Sequence, residues 1–370
     1  MTIIALILLL SFLVIIHELG HLFAAFWAKI KVEEFGIGYP PMARKLFVWN
    51  GVPFTLNWIP FGGFVRMTGE DENTTNHTEK GKGHFHSASV FRRLVVILAG
   101  ASVNFIFGVL AFSIAFSVMG IPVFLSTARI GFVAPDSPAA AAHLPTDVDI
   151  IAFEADGSRM AITNSTQVIS YVNEHRGKTV TVVTTGPCTG TTCAEKAQEF
   201  TTYLRTEAET PQGQGSLGIA FKEYEMQFYP WWQMPFRGTW FGILQALDLG
   251  NQIITALRTL AVTVVFNGQV PSELAGPVGI VHQAQSAGLL SQGWLAVLSF
   301  AGMLSINLAV MNVLPIPPLD GGKAAFTILE PFVADRYLRT AEYWVNYVGY
   351  IALLALILVI TARDVFRIFF

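Results

Sequence analysis

Charge is what this chain has least of. Among its 370 residues only 13% are Asp, Glu, Lys or Arg, against 52% hydrophobic, and the mean hydropathy is +0.51. That balance excludes an ordinary soluble domain and points to an integral membrane protein. A basic excess is missing too: 23 Lys and Arg against 26 Asp and Glu give a net charge of −3, so nothing calls for nucleic acid. Cysteine is nearly absent. The two present, Cys188 and Cys193, are too few for a disulfide framework. A leader signature is also lacking. No basic residues precede the first apolar run and no small-residue cleavage site follows it, so residues 1–16 read as a retained span.

The chain is rich in long apolar runs. Ile3–Ala28, Leu94–Met119, about Gly293–Val313 and Tyr343–Thr361 each reach the roughly 20 residues a bilayer crossing needs. Pro230–Phe266 differs. It carries Trp231, Trp232 and Trp240, then Arg237, Asp248 and Arg258, which suits an amphipathic segment lying in the interface. Between the first two spans stand Lys29, Lys31, Arg44, Lys45, Arg66, Lys80, Lys82, Arg92 and Arg93, so that loop is expected in the cytoplasm. Both termini and the polar insert 123–229 then lie outside. The insert has strand-like runs at Val180–Thr185 and Phe200–Leu204 flanking both cysteines. An oxidising compartment would permit a Cys188–Cys193 bridge, and the alternative is two free thiols.

One motif breaks the apolar rule. His17-Glu18-Leu19-Gly20-His21 sits inside the first span, where ionisable groups are costly and need a partner or a task. Residues i and i+4 share a helix face, so His17 and His21 can grip one metal ion with Glu18 beside them to move a proton. A catalytic zinc keeps three protein ligands. The third candidate is Asp320, the only acidic residue between Glu273 and Glu330, at the end of a span broken by Pro315, Pro317 and Pro318. For Asp320 to meet His17, the first and third spans must run the same way. That makes four spans and forbids a crossing by 230–266. Asn312 is a candidate for holding substrate backbone or a developing oxyanion, or for an interhelical hydrogen bond. Asn104 reads as a polar tie between helices. The apolar stretch Asn57–Val65, with Gly62 and Gly63, could present an edge strand to an extended substrate, or only pack as an interfacial hairpin.

Five motifs in order resemble the site-2 proteases of the bacterial RseP type: His17–His21, Phe61-Gly62-Gly63, Gly100 with Asn104, Gly276-Pro-Val-Gly279, and Asn312 to Gly322. The resemblance implies an intramembrane zinc endopeptidase (peptidase M50-like) with one Zn2+ per chain, His17, His21 and Asp320 as ligands and Glu18 as general base. It implies single-pass membrane substrates of the anti-sigma-factor or remnant-signal-peptide kind in regulated intramembrane proteolysis, and a bacterial inner-membrane location. Asn312, Pro315, Pro317, Gly62 and Gly63 fall where such proteins contact substrate. The implied fold is an α-helical integral membrane protein: four transmembrane helices, a membrane-associated β-hairpin or sheet, and one extracytoplasmic PDZ-like mixed α/β domain. Its expected divisions are 1–120, 121–228 (PDZ-like), 229–285 (interfacial) and 286–370, in a monomer contacting lipid. Some residues depart from the family pattern. His143 and Thr146-Asp147 stand where Gly-Leu and Gly-Asp are frequent, so steric filtering is the expected role of the insert. Lys323 replaces a usual His, and Ala101 a frequent Pro. The rival readings are an inactive membrane PDZ scaffold, against which the complete set His17, Glu18, His21 and Asp320 speaks, and a transporter, whose repeated halves are absent.

Overall fold

The computed structural model describes residues 2–369 apart from 71–82, 156, 264, 265, 267–275, 287 and 290; Lys80 and Lys82 of the basic loop lie outside the described residues. The chain forms two compact units: Met1–Ser117 with Pro235–Phe370, and Val118–Met234.

The first unit opens with α1 (Thr2–Ala28), followed by β1 (Val32–Trp49), β2 (Val52–Met67) and α2 (Val90–Met119). The two strands are joined at Asn50-Gly51, both at positive φ (49° and 80°), as a two-residue hairpin turn requires. The pairing is doubled. Phe35, Gly36 and Ile37 bond to Phe54, Thr55 and Leu56 on one edge and to Val65, Phe64 and Gly63 on the other. Curling β2 around β1 in this way leaves Gly63–Val65 as an outer strand.

The second unit is β-rich. It contains β3 (Ile121–Phe124), β4 (Ile130–Val133), α3 (Pro138–Ala141), β5 (Ile150–Ala155), β6 (Ser158–Ala161), α4 (Ser165–Glu174), β7 (Thr179–Thr184), β8 (Cys188–Thr189), β9 (Thr192–Cys193), β10 (Gln198–Tyr203), β11 (Ile219–Phe221) and β12 (Tyr224–Gln227). An antiparallel sheet in the order β10-β7-β5-β6 carries the core, with β11 on β4 and β12 on β3 as separate pairs. Alternation in β7 turns Val180 and Val182 inward onto Ile150 and Phe153, and α4 adds Val168, Tyr171 and Val172. Asn164 caps α4, its side chain accepting from the Gln167 N–H. Phe200 pairs with Val182 across the loop that holds both cysteines, and their sulfurs lie 1.99 Å apart. Arg129, 1% exposed, sits beside that loop, donating to Asp149 through Nε (2.9 Å) and Nη2 (3.3 Å) and to the Gly190 carbonyl.

The first unit resumes with α5 (Met234–Val262), α6 (Pro277–Ser286), α7 (Trp294–Val313), α8 (Asp320–Leu329) and α9 (Asp335–Phe369). Among the described residues, four helices are long and apolar enough to cross a membrane: Ile4–Ala28, Val90–Met119, Trp294–Val313 and Tyr337–Phe366. Their directions follow from contacts. His17 faces Asn104 and His21 faces Val96, so α1 is antiparallel to α2. Gly302 packs on Ala111 and Ser305 Oγ donates to the Asn104 carbonyl, so α7 is antiparallel to α2 as well. α1 and α7 therefore share a direction.

α5 packs directly against α2. Gly238 abuts Ser117 and Gly242 abuts the Ser113 backbone, so closely that a Cβ at Gly242 would come 2.7 Å from the Ser113 nitrogen. Ala246 follows, fully buried. This small-residue stripe at four-residue spacing lays α5 lengthwise and antiparallel on α2, the way helices pack in lipid without a hydrophobic driving force. Its charges keep it below the hydropathy of a span. Two polar ties complete the unit. Arg93 in α2 pairs through two nitrogens with Glu330 after α8, and Asp364 in α9 accepts from the N–H groups of Gly276 (2.8 Å) and Gly279 (2.9 Å) at the start of α6.

Arg129→Met should destabilise the Val118–Met234 unit by ~3–5 kcal/mol, because it strands the buried Asp149 carboxylate. Pulse proteolysis of the full-length protein should show earlier cleavage within this unit, and Arg129→Met with Asp149→Leu should recover part of the loss.

Candidate metal centre

Four helical turns into α1, two imidazoles emerge on one face. His17 and His21 are 7% exposed each, and their Nε2 atoms are 3.0 Å apart. Such an approach needs something shared between the two lone pairs. Asp320 supplies the third corner: its Oδ2 is 2.9 Å from His17 Nε2 and 3.3 Å from His21 Nε2. Ligands about 2.0–2.1 Å from a zinc ion in a tetrahedron are separated by roughly 3.3 Å, so the three atoms have close to the spacing one such ion imposes.

Surrounding groups set the ring protonation. His21 Nδ1 lies 2.8 Å from the Val96 carbonyl, which can only accept. The proton is therefore on Nδ1 and the lone pair of Nε2 faces the centre. Asn104, fully buried, reaches His17 Nδ1 at 3.4 Å through its amide, while its Oδ1 has no partner. Turning that amide by 180° lets Oδ1 accept from an Nδ1–H and presents the His17 Nε2 lone pair in the same direction.

The neighbouring backbone explains why the residues meet. A Cβ at Gly100 would stand 2.5 Å from His21 Nε2 and 2.6 Å from His17 Nε2, so only glycine leaves room for the pair against α2. On the other side, the proline-broken segment after α7 folds back over the first turn of α8, where a Cβ on Gly321 would run into the Val313 and Leu314 carbonyls. That tight return delivers Asp320, the first residue of α8, to α1. A second group of possible ligands, Asp149 with Cys188 and Cys193, is disqualified because the two sulfurs are bonded to each other.

A cleft of about 180 Å³ opens beside the centre, lined by Glu18, His21, Tyr39, Gly63–Val65, Met67, Glu70, Ile97, Asp320 and Lys323. Gly63 stands next to Glu18: a Cβ there would lie 3.6 Å from Glu18 Cγ. A larger groove of about 460 Å³ on the β-rich unit is lined by Thr179, Thr181, Thr201 and the exposed Glu154–Arg159 pair. Among the described residues it holds no buried titratable group or ligand cluster, so the smaller cleft is the candidate for the chemistry. Asn312, Pro315, Pro317 and Gly62 are not among the cleft residues; Pro317 backs onto Gly349 of α9, and Gly62 faces the Tyr39 ring. Sequence reasoning overlooked Tyr39 and Glu70, and noted Lys323 only as a departure from the family pattern. A signal existed for Lys323, which follows Asp320 by three residues and so shares its helix face.

The peptidase family M50 model matches residues 5–356. Over its whole length the chain is 27% identical to zinc metalloprotease RasP of Oceanobacillus iheyensis, covering 99% of that protein. It is 27% identical to RasP of Bacillus licheniformis, again covering 100% of this chain and 99% of the relative. RasP of Geobacillus kaustophilus is 26% identical, at 100% and 98% coverage. The family match spans every element that brings His17, His21 and Asp320 together, and the chain belongs to peptidase family M50, as a zinc metalloprotease of the site-2 type.

Proposed function

We propose that this protein is an intramembrane endopeptidase that cuts single-pass membrane proteins within or near their spans, with His17, His21 and Asp320 holding the zinc and Glu18 as general base. The observation that carries this reading is the convergence of three ligand atoms within 3.3 Å of one another, beside a cleft that Glu18 and the outer strand Gly63–Val65 both line. Bound zinc lowers the pKa of water toward neutrality and polarises a carbonyl. Glu18 takes the proton as the water oxygen adds to the scissile carbonyl carbon, then gives it to the leaving amide nitrogen as the C–N bond breaks. Val96 and Asn104 hold the two imidazoles in the ligating tautomer.

A transmembrane helix hides its peptide bonds, so it must be extended before it can be cut. The outer edge of Gly63–Val65 supports strand addition as the means, since Ile37, Gly36 and Phe35 occupy only its inner edge. The absence of a side chain on Gly63 lets a substrate backbone lie against Glu18. The basic loop after α1 supports a cytoplasmic location for this cleft, with both termini and the β-rich unit on the other side of the inner membrane. We read that unit as PDZ-like and as a steric filter. Anti-sigma factors and remnant signal peptides are the substrate classes that fit.

Glu18→Gln should keep zinc and lose about 10²–10⁴-fold in cleavage of a single-span model substrate. Equal turnover by wild type and variant would sink the mechanism. Asp320→Ala and Gly100→Val should each weaken zinc binding by more than about tenfold, the first by removing a ligand and the second by driving a side chain between the imidazoles. Metal analysis after dialysis against a graded chelator reads this directly, and unchanged affinity in Asp320→Ala would remove it as a ligand.

A further inference from the structure

We propose that Glu70 forms a subsite for a basic residue of the substrate, and that Lys323 occupies this subsite when no substrate is bound; the proposal rests on reading the cleft as the protease active site. Among the described residues, the cleft is lined by three carboxylates, Glu18, Glu70 and Asp320, and one ammonium, Lys323. Lys323 Nζ donates to Glu70 Oε1 at 2.8 Å. The two partners differ in freedom. The Lys323 side chain is 44% exposed and the Glu70 side chain 19%. Glu70 is also fixed by its backbone: its N–H donates to the Met67 carbonyl, and the adjoining Thr68 bonds to Lys31 and Phe85. An ion pair this exposed contributes little and exchanges readily, and the lysine is the half that can swing into solvent. The reverse exchange, an acidic substrate residue drawing Lys323 away, would leave Glu70 unpaired in a cleft with two further carboxylates. The arrangement therefore favours a cation.

Position gives the substrate chemistry. Gly63 lies against Glu18, and the strand runs from there to Met67 and the turn that ends at Glu70. At about 3.3 Å per residue, a side chain roughly four residues from the scissile bond comes level with Glu70. Single-span proteins carry Lys and Arg just beyond the cytoplasmic end of their spans, so a segment drawn onto this edge brings such a residue to the carboxylate.

The test uses the full-length zinc enzyme in lipid nanodiscs and three single-span substrates, identical except for Lys, Gln or Glu about four residues to the cytoplasmic side of the cleaved bond. Wild type should show a KM about twofold to fivefold lower for the Lys substrate than for the Gln substrate, the worth of one partly exposed ion pair, with kcat little changed. Glu70→Gln should abolish that preference, Glu70→Lys should transfer it to the Glu substrate, and Lys323→Gln should lower KM for the Lys substrate further by removing the internal competitor. Zinc content and gel filtration establish that each variant is folded, and the conservative Glu70→Gln carries the conclusion if Glu70→Lys is not. Photo-crosslinked capture by Glu18→Gln measures binding apart from chemistry. Charge-dependent capture without cleavage by the native enzyme would count against the protease reading and leave the subsite standing. Cleavage or capture indifferent to the substituted residue, or an order unchanged in Glu70→Gln, overturns the subsite.

Discussion

His17, His21 and Asp320 are anionic or lone-pair groups brought within 3.3 Å of one another, and that concentration of negative character is stable only around a shared cation. Much else in the helical unit follows from assembling it. α1 must expose two histidines to α2, so α2 carries Gly100 where any side chain would intrude. Asp320 must come from 303 residues further along, so the chain after α7 turns back in a space that only glycine at 321 permits. The centre thereby joins the first helix to the last third of the chain, and with these residues as the proposed ligands, zinc binding would be coupled to tertiary structure.

Several polar groups of this unit are answered by something fixed: Val96 and Asn104 for the imidazoles, Glu330 for Arg93, and the N–H groups of Gly276 and Gly279 for Asp364. Elsewhere small residues let helix backbones approach closely, as Gly238 and Gly242 do on α2 and Gly302 does on Ala111. Neither device relies on apolar burial between helices, which offers little when the surroundings are lipid.

How much of this could be read from sequence depended on range. The spacing of His17 and His21 is a local geometric statement and needed no fold, and Asp320 stood out because it was the single acidic residue in a long apolar stretch. The four long apolar helices were visible as composition. Packing was harder. The stripe Gly238, Gly242, Ala246 was present in the sequence, but which neighbour a stripe meets is a tertiary fact. The long hairpin was half seen: Asn57–Val65 was noticed, while Asn50-Gly51, the strongest hairpin signal in that region, passed unused. Glu70 and Lys323 were unreadable as a pair, since nothing local connects residues 253 positions apart.

Within the β-rich unit, the first and last strands pair: Ile121 with Gln227 and Phe124 with Tyr224. The chain thus enters and leaves that unit at neighbouring positions, about 4.8 Å apart across the ladder. For the helices on either side, everything between those strands amounts to a link one strand spacing wide. Residues can be added or removed inside it without altering the distance that α2 and α5 must bridge, and the cost in loop-closure entropy grows only logarithmically. Such a chain can vary in length at this one place while the spacing around its metal stays fixed.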